Sequence, residues 1–162
     1  MGAIMENRTT LVYLEREGCY LMMHRTKKKN DENGGKWIGI GGHFEEGESA
    51  EECMKREVRE ECGVTPTAYR ERGKVTFISD EWGTEYMYLF TVSAWQGDFD
   101  LDCDEGELAF VEREKVLSLP MWEGDKIFLA LIAADAAYFN LTLEYKGETL
   151  SRAELDGKEL AL

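Results

Sequence analysis

The spacing of hydrophobic and polar positions changes from segment to segment along the chain. This pattern predicts strands interleaved with helices. Short runs rich in β-branched, aromatic and other apolar side chains, bounded by glycine or by polar turns, indicate strands. The predicted strands cover residues 9–15, 19–24, 67–78, 84–95, 108–112, 138–145 and 148–150, the last two forming a C-terminal hairpin. Because no linker or repeat interrupts this pattern, the sequence predicts one α/β domain over residues 1–162.

One segment has the period of an amphipathic helix instead. Across residues 50–62, apolar side chains recur at every fourth position with charged residues between them. Ser49 and Glu52 have the spacing of a capping box before this helix, and Gly63 is suited to end it in a left-handed conformation. Shorter helices are predicted at residues 113–117 and 127–134.

Composition and charge narrow the class of function. The chain has 162 residues, 43% of them hydrophobic, and 33 acidic against 19 basic side chains give a net charge of −14. Such a charge disfavours binding to nucleic acid or to an anionic membrane surface, so a phosphate ligand would require a cation. Without a signal peptide or a membrane-spanning apolar run, a cytoplasmic protein is expected. Reduced thiols are expected at Cys19, Cys53, Cys62 and Cys103, which lack metal-site spacing.

An acidic row on the predicted helix carries candidate chemistry. Glu57, Glu60 and Glu61 stand at positions i, i+3 and i+4, so their carboxylates project from one side of the helix. A solvated acidic face is one interpretation, but the row lies beside the apolar stripe and so partly faces the body of the domain. Mg²⁺ or Mn²⁺ would offset the repulsion between these carboxylates. Gly41 and Gly42, just upstream, let the backbone approach a metal or a phosphate.

Two basic side chains accompany this row. Arg56 can pair with Glu52 or Glu60, each four residues away, and is expected to orient a catalytic carboxylate. His43 either contacts a phosphate or is an ordinary surface histidine of a loop. His24, at the end of a predicted strand, is expected to be structural.

Residues 42–64 resemble the Nudix box, Gly-x5-Glu-x7-Arg-Glu-U-x-Glu-Glu-x-Gly-U, where U is a bulky aliphatic residue. Its fixed positions are filled by Gly42, Glu48, Arg56, Glu57, Val58, Glu60, Glu61, Gly63 and Val64. The resemblance implies a Nudix-type α/β/α sandwich with a mixed β-sheet, a catalytic loop-helix-loop and a C-terminal β-hairpin. It also implies Mg²⁺-dependent hydrolysis of a nucleoside diphosphate linked to another group.

The resemblance assigns roles to individual residues. It implies that Glu60, Glu61 and the carbonyl of Gly41 bind the metal, with Mn²⁺ as a substitute for Mg²⁺. Glu57 is either a further ligand or the base that activates water, and Arg56 is its orienting partner. Family members often take another acid from a later loop, and the candidates here are Asp104 and Glu105.

Outside the box, the chain is similar to the MutT-related branch that hydrolyses oxidised purine triphosphates such as 8-oxo-dGTP. This similarity rests on residues 35–37, 39, 41–42, 121–122 and 125 and on the terminal hairpin. It implies that Trp122 stacks on the base and that Asp125 hydrogen-bonds it. Alternatively, Trp122 packs the second helix with Asp125 in its first turn, and Trp37 is expected in the core.

The chain departs from this branch at two places. Ile38 stands where well-known members have Asn, and Gly124 precedes Asp125 where they have two adjacent Asp. Triphosphate hydrolysis does not depend on these residues, whereas the choice of base does. The candidate substrate-binding set is Ile38, Gly42, His43, Trp122 and Asp125.

Three functions remain open at this point. The first is a nucleoside triphosphate pyrophosphohydrolase, and the second is hydrolysis of another nucleoside diphosphate derivative such as ADP-ribose or a nucleotide sugar. The third is a non-catalytic nucleotide-sensing module. In each case the expected partner is a small nucleotide, and the protein is expected to be a monomer or a homodimer.

Overall fold

The computed structural model describes residues 6–26, 33–101 and 106–162. The strands are β1 (Arg8–Arg16), β2 (Cys19–His24), β3 (Trp37–Ile38), β4 (Thr65–Ser79), β5 (Gly83–Gln96), β6 (Glu107–Glu112), β7 (Phe139–Lys146), β8 (Thr149–Leu155) and β9 (Lys158–Glu159). The helices are α1 (Ala50–Cys62), α2 (Arg113–Val116) and α3 (Glu123–Ala133).

Within the described residues, the strands join in the order β3-β2-β1-β5-β4-β7-β8-β9, and β6, outside this order, also pairs with β2. β1 is parallel to β5 and β4 is parallel to β7, while the remaining pairs are antiparallel. The predicted α/β class with a mixed sheet is therefore confirmed.

Helices cover both faces of this sheet. Since side chains of a strand point alternately to its two sides, one strand contacts helices on both faces. On one face, Leu11 and Tyr13 of β1 pack with Phe128 of α3. On the opposite face, Val12 packs with Met54 of α1. Neither these helices nor α2 are long and apolar enough to cross a membrane, and no other helix occurs in the described ranges.

Helix α1 has the bounds and the caps that the sequence predicts. The Ser49 Oγ accepts a hydrogen bond of 3.1 Å from the Glu52 N–H, and the Glu52 carboxylate accepts one of 3.1 Å from the Ser49 N–H. Gly63 ends the helix with a φ of 76°, a conformation that glycine adopts without a steric penalty. This helix and its ends are encoded locally.

Helix α3 begins four residues earlier than the predicted start at residue 127, at Glu123. The apolar run begins only at residue 127 and so does not mark the first turn of the helix. The first turn is held instead by a tertiary contact, in which the Gly124 N–H donates to the Tyr145 hydroxyl at 2.7 Å. A side chain at Gly124 would collide with Leu143 and Tyr145, so glycine allows the helix to approach β7 closely.

The C-terminal hairpin is longer than predicted. β8 extends to Leu155 rather than ending at residue 150, and β9 pairs with its far end. The prediction stopped where Ser151 and Arg152 break the apolar run. These two residues are exposed, whereas the next residue, Ala153, is buried. The strand therefore continues with one face in water, a pattern that an apolar run does not reveal.

Candidate active site

The segment before α1 lies directly on β1. The Val12 N–H donates to the Ile40 carbonyl at 2.6 Å, and the Thr10 N–H donates to the Gly42 carbonyl at 2.9 Å. Gly41 lies between them with a φ of 151°, and a Cβ there would lie 1.9 Å from the Thr10 carbonyl oxygen. Only glycine fits this position.

Two carboxylates of α1 meet the backbone of this segment. The Gly41 N–H donates to Glu61 Oε2 at 3.1 Å. A Cβ at Gly42 would lie 2.6 Å from Glu57 Oε1, so the chain passes immediately over that carboxylate. The two glycines and the helix thus form a cradle of oxygen atoms that any side chain at position 42 would fill.

Arg56 holds the carboxylates in place. Its guanidinium forms a two-pronged contact with Glu48, from Nε at 2.7 Å and from Nη2 at 3.0 Å. Nη1 donates to Glu57 at 2.8 Å and to Glu60 at 3.1 Å, and Nη2 also donates to the His43 carbonyl at 3.0 Å. Charge-assisted hydrogen bonds of this kind fix orientation as well as charge.

Of the two predicted partners of Arg56, the structure selects Glu60, since Glu52 is engaged in the capping box. The hydrogen bond from Arg56 lowers the pKa of Glu48 to about 2, and the same contact raises the pKa of the guanidinium. Glu48 therefore remains ionised and keeps Arg56 anchored. The His43 side chain is exposed, as a surface loop histidine would be.

The oxygen donors of the cradle are of the type that Mg²⁺ and Mn²⁺ bind. Within the described ranges, no three His, Cys, Asp or Glu side chains already stand together as a metal site. The oxygens of Glu57 and Glu60 face Arg56 instead. The two loop acids that the sequence suggested as further ligands, Asp104 and Glu105, lie outside the described residues.

Trp122 and Asp125 lie on the other face of the sheet, at the start of α3. Trp122 is 5% exposed, and its ring meets Phe77 and Tyr145 edge to face at 5.7 and 5.1 Å between ring centres. Trp122 therefore packs at the start of α3, and Asp125 lies in the first turn of that helix. This agrees with the alternative interpretation of the sequence, in which Trp122 packs the helix. Two causes raise the pKa of Asp125 to about 8, of which burial is the larger and the negative charge of Glu85 the smaller.

A small cavity of about 40 Å³ adjoins both residues. The sequence suggests Ile38 and Asp125 as base-binding residues but does not indicate Glu85, because its place in the lining depends on strand pairing. The cavity is lined by Leu11, Ile38, Phe77, Glu85, Met87, Trp122 and Asp125.

The loop after β2 braces Trp122. Asn33 Oδ1 accepts a hydrogen bond of 2.8 Å from the indole Nε1, and the Lys36 ammonium lies 4.4 Å from the ring centre. Trp37 is half-buried rather than a full core residue, and its ring stacks on His24 at 4.6 Å. The sequence indicates neither contact with Trp122, because each joins segments about 90 residues apart.

Comparison with known proteins defines the class. The model of the NUDIX domain matches residues 5–132. Together with the complete box on α1, this match shows that the chain belongs to the Nudix hydrolase family. Members of this family are enzymes that use a divalent metal and act on small nucleotide substrates.

Three relatives illustrate the similarity. The chain is 30% identical over 127 residues to the oxidized purine nucleoside triphosphate hydrolase of Danio rerio, covering 76% of this chain and 77% of the relative. It is 27% identical over 145 residues to the Nudix hydrolase YvcI of Bacillus subtilis, with coverages of 87% and 88%. The crystal structure of the mutator MutT protein from Bacillus halodurans superposes with a TM-score of 0.83 at 26% identity, covering 94% of this chain and 99% of that one.

Proposed function

We propose that this protein is a Mg²⁺-dependent nucleoside triphosphate pyrophosphohydrolase that acts on oxidised purine nucleotides such as 8-oxo-dGTP. The products are the nucleoside monophosphate and pyrophosphate. The observation that carries the proposal is the carboxylate row of α1, held by Arg56 under the backbone of Gly41 and Gly42. The name of the Danio rerio relative, an oxidized purine nucleoside triphosphate hydrolase, supports the substrate class.

Each residue of the cradle has a role in this reaction. Glu60, Glu61 and the Gly41 carbonyl would hold the metal, with Mn²⁺ as a substitute. When bound, the metal neutralises phosphate charge and makes phosphorus more electrophilic. Glu57 either adds a ligand or takes the proton of the attacking water, and Arg56 orients it through the contact at 2.8 Å.

The base would bind on the α3 side of the sheet. Asp125 is the hydrogen-bonding group there, and Trp122 forms one wall of the cavity. The cavity holds about 40 Å³, which is enough for the edge of a base but not for the whole ring. Binding therefore requires the Ile38 and Met87 side chains to shift or the base to remain partly at the mouth.

The test is hydrolysis of a nucleotide panel by the wild type and by Glu60→Gln and Glu61→Gln, with Mg²⁺ and with Mn²⁺. Each substitution removes a carboxylate and keeps its shape, so turnover should fall about 100-fold or more while the fold is retained. Glu51→Gln is the matched control, because Glu51 is exposed on the same helix and contacts Lys55. Circular dichroism checks that each variant is folded.

The same nucleotide panel also distinguishes triphosphate hydrolysis from the two other candidate functions. Near-normal turnover in both variants would refute the assignment of the carboxylates. Release of a sugar phosphate from a nucleotide sugar, or of ribose phosphate from ADP-ribose, without cleavage of triphosphates would favour the second class of substrate. Binding without hydrolysis of any compound would favour the sensing module.

A further inference from the structure

A buried thiol lies between the glycine segment, β1 and the guanidinium of Arg56. The thiol belongs to Cys53 of α1, a residue that is wholly buried. Its Sγ lies 3.6 Å from the Gly42 carbonyl oxygen, 3.5 Å from Thr10 Oγ1 and 3.8 Å from Arg56 Nη2. The proposed reaction gives this side chain no part, although it contacts three groups around the cradle.

The hydrogen-bonding capacity of these groups sets the direction of each contact. The Gly42 carbonyl can only accept, so the Cys53 S–H donates to it, and the Arg56 guanidinium can only donate, so it donates to the sulfur. Because the single thiol proton is then used, the sulfur accepts from the Thr10 hydroxyl. Burial raises the pKa of the Cys53 thiol to about 11, so the thiol keeps this proton at neutral pH.

These contacts hold one side of the peptide unit that carries the proposed metal-binding carbonyl. The Gly41 carbonyl belongs to the peptide unit between Gly41 and Gly42. On its N-terminal side, the Gly41 N–H donates to Glu61 at 3.1 Å. On its C-terminal side, the Gly42 carbonyl accepts from the Thr10 N–H at 2.9 Å and from the Cys53 thiol. Glycine backbone is conformationally free, so the direction of the Gly41 carbonyl depends on these anchors.

The second thiol of α1 shows what packing within a helix requires. Cys62 is also wholly buried, and its Sγ donates to the Val58 carbonyl of the same helix at 3.1 Å. The thiol of Cys53 instead donates to Gly42, eleven residues earlier in the chain and outside the helix. If both thiols served packing alone, removing either one would change stability and nothing else.

We propose that Cys53 is a positioning residue for the metal site, holding the Gly42 peptide group so that the neighbouring Gly41 carbonyl stays available to the metal. Removing the thiol should weaken binding of a divalent metal, because groups that orient metal ligands contribute to affinity. Arg56 keeps its contacts with Glu48 and Glu57 in that case. This inference rests on the proposed function, since the metal is the one that the cradle would hold in that reaction.

The test is Mn²⁺ binding to the protein without nucleotide, measured by electron paramagnetic resonance of the unbound ion. Cys53→Ala removes the donor to Gly42 and should raise the Kd for Mn²⁺ about 10-fold, the lower end of the effect of removing a group that orients a ligand. Cys53→Val also removes the donor but fills the space of the sulfur, so it should raise the Kd similarly even if the alanine variant fails to fold. Cys53→Ser keeps a donor and should restore most of the affinity.

The matched control is Cys62→Ala. It removes a buried thiol from the same helix, so thermal unfolding should show a loss of stability similar to that in Cys53→Ala. Its Kd for Mn²⁺ should equal that of the wild type, because the Cys62 thiol donates within the helix rather than to the glycine segment.

A wild-type Kd in Cys53→Ala and Cys53→Val would overturn the inference, and so would an equal rise in Cys62→Ala. Binding by Cys53→Ser as weak as that of Cys53→Ala would also contradict it, because the hydrogen bond would then not be the cause. Should the wild type bind no Mn²⁺, the metal site of the proposed function would fail and the inference with it. Wild-type binding that does not depend on the thiol would contradict the inference alone.

Discussion

Arg56 is the side chain on which the order of the carboxylate row depends. It contacts Glu48, Glu57 and Glu60 at once, and only a planar guanidinium can serve these three carboxylates from one position. Its ion pair with Glu48 is mostly shielded from solvent, so it contributes more to order than an exposed pair would. Arg56 therefore contributes to the site by orienting these carboxylates as well as by its charge.

Arg56→Lys should therefore separate orientation from charge. The lysine keeps the positive charge but cannot hold Glu48 and Glu57 together, so kcat should fall about 10- to 100-fold. The measurement is steady-state kinetics with thermal unfolding recorded in parallel. Arg59→Lys, an exposed position on the same helix, is the control and should leave kcat unchanged. A normal kcat in Arg56→Lys would show that orientation by the guanidinium is unimportant.

Gly41→Ala tests the close approach of the glycine segment to β1. The new Cβ would collide with the Thr10 carbonyl, so the free energy of unfolding should fall by about 3 kcal/mol or more. Gly47→Ala is the matched control, because Gly47 also has a positive φ, of 77°, but open space around it. That variant should lose only about 1 kcal/mol in urea unfolding. Equal losses would mean that the collision is relieved elsewhere.

Among the helices and strands, the sequence predicts features that depend on neighbouring residues. It does not predict features that depend on contacts between distant segments. Helix α1 and its capping residues follow from neighbours within a few positions, so the whole carboxylate row could be found from the chain alone. Glu85 could not, because only the register that pairs it with Phe77 turns it toward Asp125. The early start of α3 was missed for the same reason, since Tyr145 of β7 supports its first turn.

The brace between the β2–β3 loop and α3 is another such tertiary feature, and Asn33→Ala tests it. The substitution leaves the buried indole N–H of Trp122 without its acceptor, which should cost about 1–3 kcal/mol of stability. Because Trp122 walls the base cavity, KM should rise several-fold while kcat changes less. Steady-state kinetics check this, with the exposed Asn140→Ala as control. A fall in kcat at constant KM would contradict the role of the brace in binding.

For the whole molecule, Asp125 links stability to pH. Its pKa rises from an ordinary value of 3.8 to about 8 on folding, so the folded state binds a proton more tightly than the unfolded state. Stability from this group is therefore present below about pH 4 and lost as the pH rises toward about 8, by at most about 1.4 kcal/mol per pH unit. Glu48 acts in the opposite sense, but below its ordinary pKa of 4.5, outside most of this range.

Asp125→Asn should remove this slope. Urea unfolding at several pH values between about 5 and 8 should show the variant gaining stability relative to the wild type as the pH rises. Asp98→Asn, which changes an exposed acid, should follow the wild type. Parallel curves for Asp125→Asn and the wild type would mean that Asp125 is ionised in the folded protein.

The proposed reaction cleaves a triphosphate to a monophosphate and pyrophosphate at the cradle formed by α1 and the glycine segment. Phosphorus NMR of 8-oxo-dGTP incubated with the protein and Mg²⁺ tests it most directly. We expect equal amounts of pyrophosphate and the nucleoside monophosphate, and at least about 100-fold slower formation of both when Glu60→Gln replaces the wild type. Orthophosphate with the nucleoside diphosphate, or an unchanged triphosphate, would contradict it.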